Sequence, residues 1–189
     1  FERQAGQGLG PTMQACAGKP TVDELLGQPA TGAHVLTAPL GPLTLVVDAD
    51  GVLCALYNEG QRYFPEAAAL GERDDTVAED AVAQLREYFA GMRSAFTVPT
   101  AAVGTAFQHR VWEALAAIPP GTTRTYGQVA QELGAPGASR AVGAATGRNP
   151  ISIIVPCHRL VGASGAMTGY AGGVERKVWL LTHEGALAS

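Results

Sequence analysis

Cys157 and His158 stand side by side in the run Ile153-Ile154-Val155-Pro156-Cys157-His158-Arg159, and Glu184 follows near the end of the 189-residue chain. A thiol is a strong nucleophile only as the thiolate. A histidine that takes its proton and a carboxylate that orients the histidine are the usual means of making one at neutral pH. Most buried cysteines are inert small hydrophobes, so the pair gains its weight from its surroundings. Glu184 falls at the end of an apparent helix, Val174–His183, where a carboxylate opposes the helix dipole. A residue misplaced by local rules often has a task elsewhere. Side chains 157 and 158 on an extended segment would face opposite ways, so the expected proton path runs through a bridging water. The three cysteines, Cys16, Cys54 and Cys157, are odd in number, widely spaced and lack C-x-x-C spacing, so neither a disulfide framework nor a zinc finger is indicated. A reducing, cytoplasmic setting is expected.

The elements that must hold these residues divide the chain in two. Apolar residues make up 47% and charged residues 16%, a globular composition rather than a disordered one. No apolar run reaches the roughly 18 residues of a membrane span, and Phe1-Glu2-Arg3-Gln4 lacks the blocks of a signal peptide. Residues 1–32, rich in Gly, Pro, Gln and Thr, read as a flexible extension. Residues 33–100 read as an α+β domain: β-rich runs at 34–37, 43–47 and 52–57 alternate with Pro39, Gly41-Pro42 and Asp50-Gly51, the pattern of an antiparallel meander. A helix capped by Asp75 or Thr76 then carries Val77, Ala81, Leu85 and Tyr88 at helical spacing and stops at Gly91. No chemistry is legible in this half.

Residues 101–189 read as mostly helical. Thr105 and Gln108 form a capping box for a helix ending before Pro119-Pro120-Gly121. Helices at 126–133 and 138–146, separated by Gly134-Ala135-Pro136-Gly137, give a helix-turn-helix spacing. The second of them is slim, with Ala138, Ser139, Ala141, Gly143, Ala144 and Ala145 around one long side chain, Arg140. The net charge of −4 argues against tight binding to phosphates. It hides an asymmetry, −7 over residues 1–106 and +3 over 107–189, so the second half is the one suited to nucleic acid, through weak and salt-sensitive contacts.

From Gly104 to Gly185 the sequence resembles the O6-alkylguanine-DNA alkyltransferases, most of all the stand-alone bacterial type. The matching blocks are Gly104-Thr105-Ala106-Phe107-Gln108, Val111-Trp112, Ile118-Pro119-Pro120-Gly121, Thr125-Tyr126-Gly127 and Ser139-Arg140-Ala141-Val142-Gly143. Arg148-Asn149-Pro150, Val155-Pro156-Cys157-His158-Arg159, Met167-Thr168-Gly169-Tyr170-Ala171-Gly172-Gly173 and Trp179-Leu180-Leu181-Thr182-His183-Glu184-Gly185 complete the order. The resemblance implies a ribonuclease H-like amino-terminal domain followed by a winged helix-turn-helix-like alkyltransferase domain. It implies single-use repair, in which an alkyl group leaves O6-alkylguanine or O4-alkylthymine in double-stranded DNA for the protein's own cysteine, with no cofactor and no metal. The partner is damaged duplex DNA, met by a monomer; whether copies bind cooperatively is left open.

By the same resemblance Cys157 is the acceptor, His158 its base and Glu184 the support of the base. Tyr126 is the acid for the leaving guanine and crowds the phosphate, helping to rotate the nucleotide out of the duplex. Arg140, with Ser139 and Ala141 beside it on a helix entering the minor groove, fills the gap in the stack. Asn149 is a hinge, Pro156 and Leu160 flank the reactive thiol, and Tyr170 and Ala171 belong to a loop closing over the base, with the Ala171 N–H directed at O6. The family often has serine where Ala163 and Ala171 stand here, which removes hydroxyl contacts. Asp48 and Leu53 occupy two positions of a zinc site found in some animal members, so no zinc is expected. Two rivals are a lesion-sensing DNA-binding module, whose known forms lack the cysteine, and a Cys-His hydrolase, which would need an oxyanion hole.

Overall fold

The computed structural model describes residues 32–66 and 70–188. The expected extension lies outside the described residues except for Gly32, which opens the first strand. Strands β1 (Gly32–Ala38), β2 (Gly41–Val47) and β3 (Leu53–Asn58) form an antiparallel sheet in that order. Only Pro39 and Leu40 join β1 to β2, with Ala38 opposite Gly41 and Gly32 opposite Val47. Gly41 takes φ 95°, a conformation that a tight hairpin demands and glycine supplies without strain. The next turn is built by Asp48, whose Oδ1 accepts from the N–H groups of Asp50 and Val52, each at 2.9 Å.

Helix α1 (Glu79–Phe89) packs across this sheet, and it starts later than the sequence suggested. Neither Asp75 nor Thr76 caps it; Ala78 precedes it at φ 58° with no side-chain cap. The polar residues are engaged elsewhere. Asp74 Oδ1 accepts from the Thr76 N–H and hydroxyl at 2.9 and 2.6 Å, while Asp75 pairs with Arg73 and accepts from the Val35 N–H on the edge of β1. Local side-chain bonds of this kind compete with helix initiation. The expected stop holds, for Gly91 takes φ 72° just beyond the helix.

In the second half, α2 (Ala106–Ala116) begins at the expected capping box of Thr105 and Gln108. It buries Val111, Trp112 and Leu115, and the Trp112 indole donates to the Ala145 carbonyl at 2.9 Å. The short strand β4 (Arg124–Thr125) leads into α3 (Tyr126–Glu132), which has a second capping box made by Thr125 and Gln128. Helix α4 (Ser139–Gly147) follows, then a 3-10 turn at Cys157–Arg159, strand β5 (Leu160–Val161) parallel to β4, and α5 (Val174–His183).

One apolar core runs through both halves, uniting Leu43, Leu45 and Leu85 with Trp112, Leu160 and Leu180. Each such side chain contributes about 1.5–3 kcal/mol by leaving water. Helices α1 and α5 meet through aromatic rings, Phe89 on Trp179 and Tyr88 on His183. Among the described residues no helix is long and apolar enough to cross a membrane.

Candidate active site

A loop folded around one amide presents Cys157. Asn149 Oδ1 accepts from the Ile151 N–H at 3.0 Å, and its Nδ2 donates to the Val155 carbonyl at 2.9 Å. Within the loop Ile153 takes φ 70°, a conformation that costs a β-branched residue about 1–3 kcal/mol and persists because its side chain is fully buried. On the other side, the loop pairs with the amino-terminal sheet: the Leu56 N–H donates to the Pro150 carbonyl at 2.8 Å and the Ser152 N–H to the Leu56 carbonyl at 3.1 Å.

The reactive run is not extended. Pro156 has no N–H to offer a strand ladder, its carbonyl accepts from the Arg159 N–H at 3.0 Å, and the three residues after it wind into the 3-10 turn. Neighbouring side chains in such a turn diverge by about 120° rather than pointing oppositely. Cys157 is 4% exposed. Burial pushes its thiol above the ordinary value, while the Asn149 amide and the positive charge of Lys177 pull the other way.

His158 is wholly buried, with Nε2 2.9 Å from Glu184 Oε1. Glu184 collects two more donors. Arg159 grips both its oxygens, at 2.9 Å through Nε and 2.8 Å through Nη2, and the Tyr88 hydroxyl donates to Oε1 at 2.8 Å. Arg159 also donates to the Ile118 carbonyl. Burial alone would raise the Glu184 carboxyl, but the hydrogen bonds and charges of His158 and Arg159 hold it well below the carboxylate range. Burial lowers His158 below the usual imidazole value, with Glu184 opposing. The ring is therefore neutral at pH 7. With Nε2–H given to the carboxylate, Nδ1, buried and without a protein partner, is the acceptor.

The remaining walls come from the segment after β5. Lys177 is fully buried and donates to the carbonyls of Leu160 and of Thr168, the latter at 2.8 Å. Burial lowers its pKa to about 8, offset in part by the nearby Cys157. Tyr126 opens α3 and its hydroxyl donates to the Thr168 and Gly169 carbonyls, both at 3.2 Å; burial and the charge of Cys157 raise its pKa. The Tyr170 hydroxyl lies buried near Asn58 and Ser152 without a well-formed hydrogen bond to either, raised for the same two reasons. A Cβ on Gly172 would stand 2.6 Å from the Tyr170 ring, so this turn of the loop admits no side chain. The Ala171 carbonyl accepts from the Arg62 N–H at 2.9 Å, whereas its own N–H donates to no group among the described residues.

The structure thus brings Asn149, Tyr126 and Tyr170 close to the buried Cys157, with Pro156, His158 and Leu160 beside it in the chain and Glu184 behind His158. It sets Arg140 and Ala141, with half-buried Ser139, on the outer side of α4. Sequence reasoning missed Arg159, Tyr88 and Lys177. For Lys177 a signal existed: with Leu180, Leu181 and Glu184 it lies at i, i+3, i+4 and i+7, the inward face of α5.

The model of the 6-O-methylguanine DNA methyltransferase ribonuclease-like domain matches residues 33–102, and that of the DNA binding domain of the same proteins matches residues 106–186. The chain belongs to the 6-O-methylguanine DNA methyltransferases. It is 49% identical over 163 residues to the methylated-DNA–protein-cysteine methyltransferase of Shigella flexneri, covering 80% of this chain and 94% of that one. It is 50% identical over 151 residues to the Mycobacterium tuberculosis H37Rv protein of the same name, covering 80% and 90%. Among solved structures, Mycobacterium tuberculosis OGT in complex with DNA superposes with a TM-score of 0.77 at 49% identity, covering 82% of this chain and 93% of that one. As a member of the methyltransferase family, the chain moves a methyl group from O6-methylguanine in DNA to a cysteine of the protein. The ribonuclease-like and helical DNA-binding halves are those of the family.

Proposed function

We propose that Cys157 is the methyl acceptor and that the buried cluster behind it makes the reaction possible at neutral pH. At rest the sulfur is a thiol. Its proton passes to His158 Nδ1 through a water, while Glu184, fixed by Arg159 and Tyr88, holds the opposite side of the ring. The Lys177 charge favours the thiolate as it forms. The sulfur attacks the methyl carbon in line, the C–S bond forms as the C–O bond breaks, and the electron pair stays with the guanine oxygen. Tyr126 turns its hydroxyl from the carbonyls of 168 and 169 to protonate the departing base, and regains a proton from His158 or solvent. Thiol and O6-methylguanine become S-methylcysteine and guanine, with no redox change and no cofactor.

Burial carries the rest of the reading. A base inside a duplex cannot reach a sulfur that is 4% exposed, so the nucleotide must be extruded, at a few kcal/mol. Arg140, exposed and free of any ion pair among the described residues, fills the stack from a minor-groove-bound α4, with Ser139 and Ala141 against the backbone. Tyr170 and Ala171 close over the base, and the uncommitted Ala171 N–H bonds the exocyclic oxygen. O4-alkylthymine offers the same leaving oxygen and is the second substrate. Asn149, Pro156 and Leu160 keep the thiol aimed, and a reducing cytoplasm keeps it free. The division into domains falls at residue 100.

Nothing in this scheme removes the methyl from sulfur, so the protein acts once. Intact mass after incubation with excess methylated duplex is expected to rise by one methylene per protein and then stop. A lesion sensor would gain nothing, and continued turnover with no lasting gain would overturn the acceptor role.

A further inference from the structure

Arg62 and Arg148 meet at the ring of Tyr63, with their guanidinium carbons 4.9 and 5.4 Å from its centroid. They come from different halves of the molecule, Arg62 from the loop after β3 and Arg148 from the position closing α4. All three side chains are exposed, Tyr63 by 52%, and Tyr63 adopts φ 63°, a conformation rare for a bulky residue. Arg73, Arg93, Arg124 and Arg159 each pair with a carboxylate, whereas Arg62 and Arg148 pair with none among the described residues. Two like charges brought together on one exposed ring, in a chain of net charge −4, leave their N–H edges for an anion. A stacked guanidinium presents a planar fork suited to phosphate oxygens.

The position of the cluster says which anion. The Arg62 N–H holds the Ala171 carbonyl of the closing loop at 2.9 Å, and Arg148 directly precedes Asn149, the residue that folds the reactive loop. Arg140 and Arg148 are separated by eight residues along α4, roughly 12 Å of helix axis, which corresponds to about three to four nucleotides of one strand. A duplex whose stack is entered by Arg140 therefore brings its backbone to this rim.

We infer that Arg62, Tyr63 and Arg148 form a second DNA contact, a clamp from both halves of the protein on phosphates flanking the extruded nucleotide. Tyr63 is its platform, keeping the two forks toward the same strand. The inference rests on the placement of α4 in the groove given above, and the test separates the two.

Affinity for a short duplex holding one copy should be measured across salt concentrations for the parent, for R62Q/R148Q and for Arg140→Ala. Loss of two phosphate contacts should make the plot of log affinity against log salt shallower by about two. R62K/R148K, which keeps the charges, should retain most of the slope. Reaction with free O6-alkylguanine should be unchanged in the Gln variant, since these exposed side chains touch neither the thiol nor its support. An unchanged slope in R62Q/R148Q beside weakened binding by Arg140→Ala would overturn the clamp and leave α4 in place. A shallower slope with Arg140→Ala without effect would support the clamp and remove Arg140. An effect confined to long duplexes carrying several copies would assign the cluster to contacts between copies, and the clamp would be lost.

Discussion

His158 is neutral because it is buried, and Glu184 is charged because three donors surround it. The two opposite responses to burial make an acceptor of the ring. Protonating His158 removes that acceptor, and since burial lowers its pKa, transfer should lose rate only as the pH falls below the ordinary imidazole value of about 6.5. Above that point the rate should level off, because the thiol itself titrates higher than usual. Glu184→Gln removes the charge that raises the ring's pKa. Its acid limb should therefore lie at still lower pH and its plateau rate should be smaller, because the ring is a weaker base. Single-turnover rates against pH at saturating DNA would check this. A change in stability alone would leave the limb in place, and a limb displaced upward would contradict the assigned role.

At the scale of elements, α4 is made slender by Ala141, Gly143, Ala144 and Ala145 and carries Arg140 at its start. An arginine that fills an opened stack matters only where there is a stack. Arg140→Ala should slow repair of duplex by the rate equivalent of part of the unstacking cost, roughly ten- to a hundredfold, and leave reaction with free O6-alkylguanine within a few-fold. Equal slowing of both would mean that Arg140 supports the pocket instead. The helices themselves were largely legible from sequence, because their starts are written locally: Thr105 with Gln108 announces α2. The same T-x-x-Q spacing at Thr125 and Gln128 announces α3 just as plainly, although only the helix was anticipated. Misreading arose where polar residues had two uses. Asp75 and Thr76 look like caps, but Thr76 bonds Asp74 in a turn and Asp75 serves the β1 edge, a partner 40 positions away that no local pattern reveals. The reactive run reads as an extended segment, but the Asn149 amide, bonded to Ile151 and Val155, folds it into a loop, and a 3-10 turn follows Pro156.

On the scale of the whole molecule, the half in which no chemistry was legible completes the site. Leu56 anchors the reactive loop, Tyr88 donates to Glu184 and the Arg62 N–H holds the closing loop. The Tyr88–Glu184 contact spans 96 positions and the Arg62–Ala171 contact is wider still, beyond the reach of periodicity or motif. Cys157, His158 and Glu184 were readable because two are adjacent and the third ends a helix, whereas Arg159 and Lys177 were assigned no role from the sequence. The central claim is that methyl transfer ends on one particular sulfur, the one all these elements bury. The most direct measurement is peptide mapping after reaction with one equivalent of duplex carrying an isotopically labelled O6-methyl group. The label should reside wholly on the peptide containing Cys157, and Cys157→Ser should acquire none. Label on Cys16 or Cys54, or undiminished labelling of Cys157→Ser, would contradict the account.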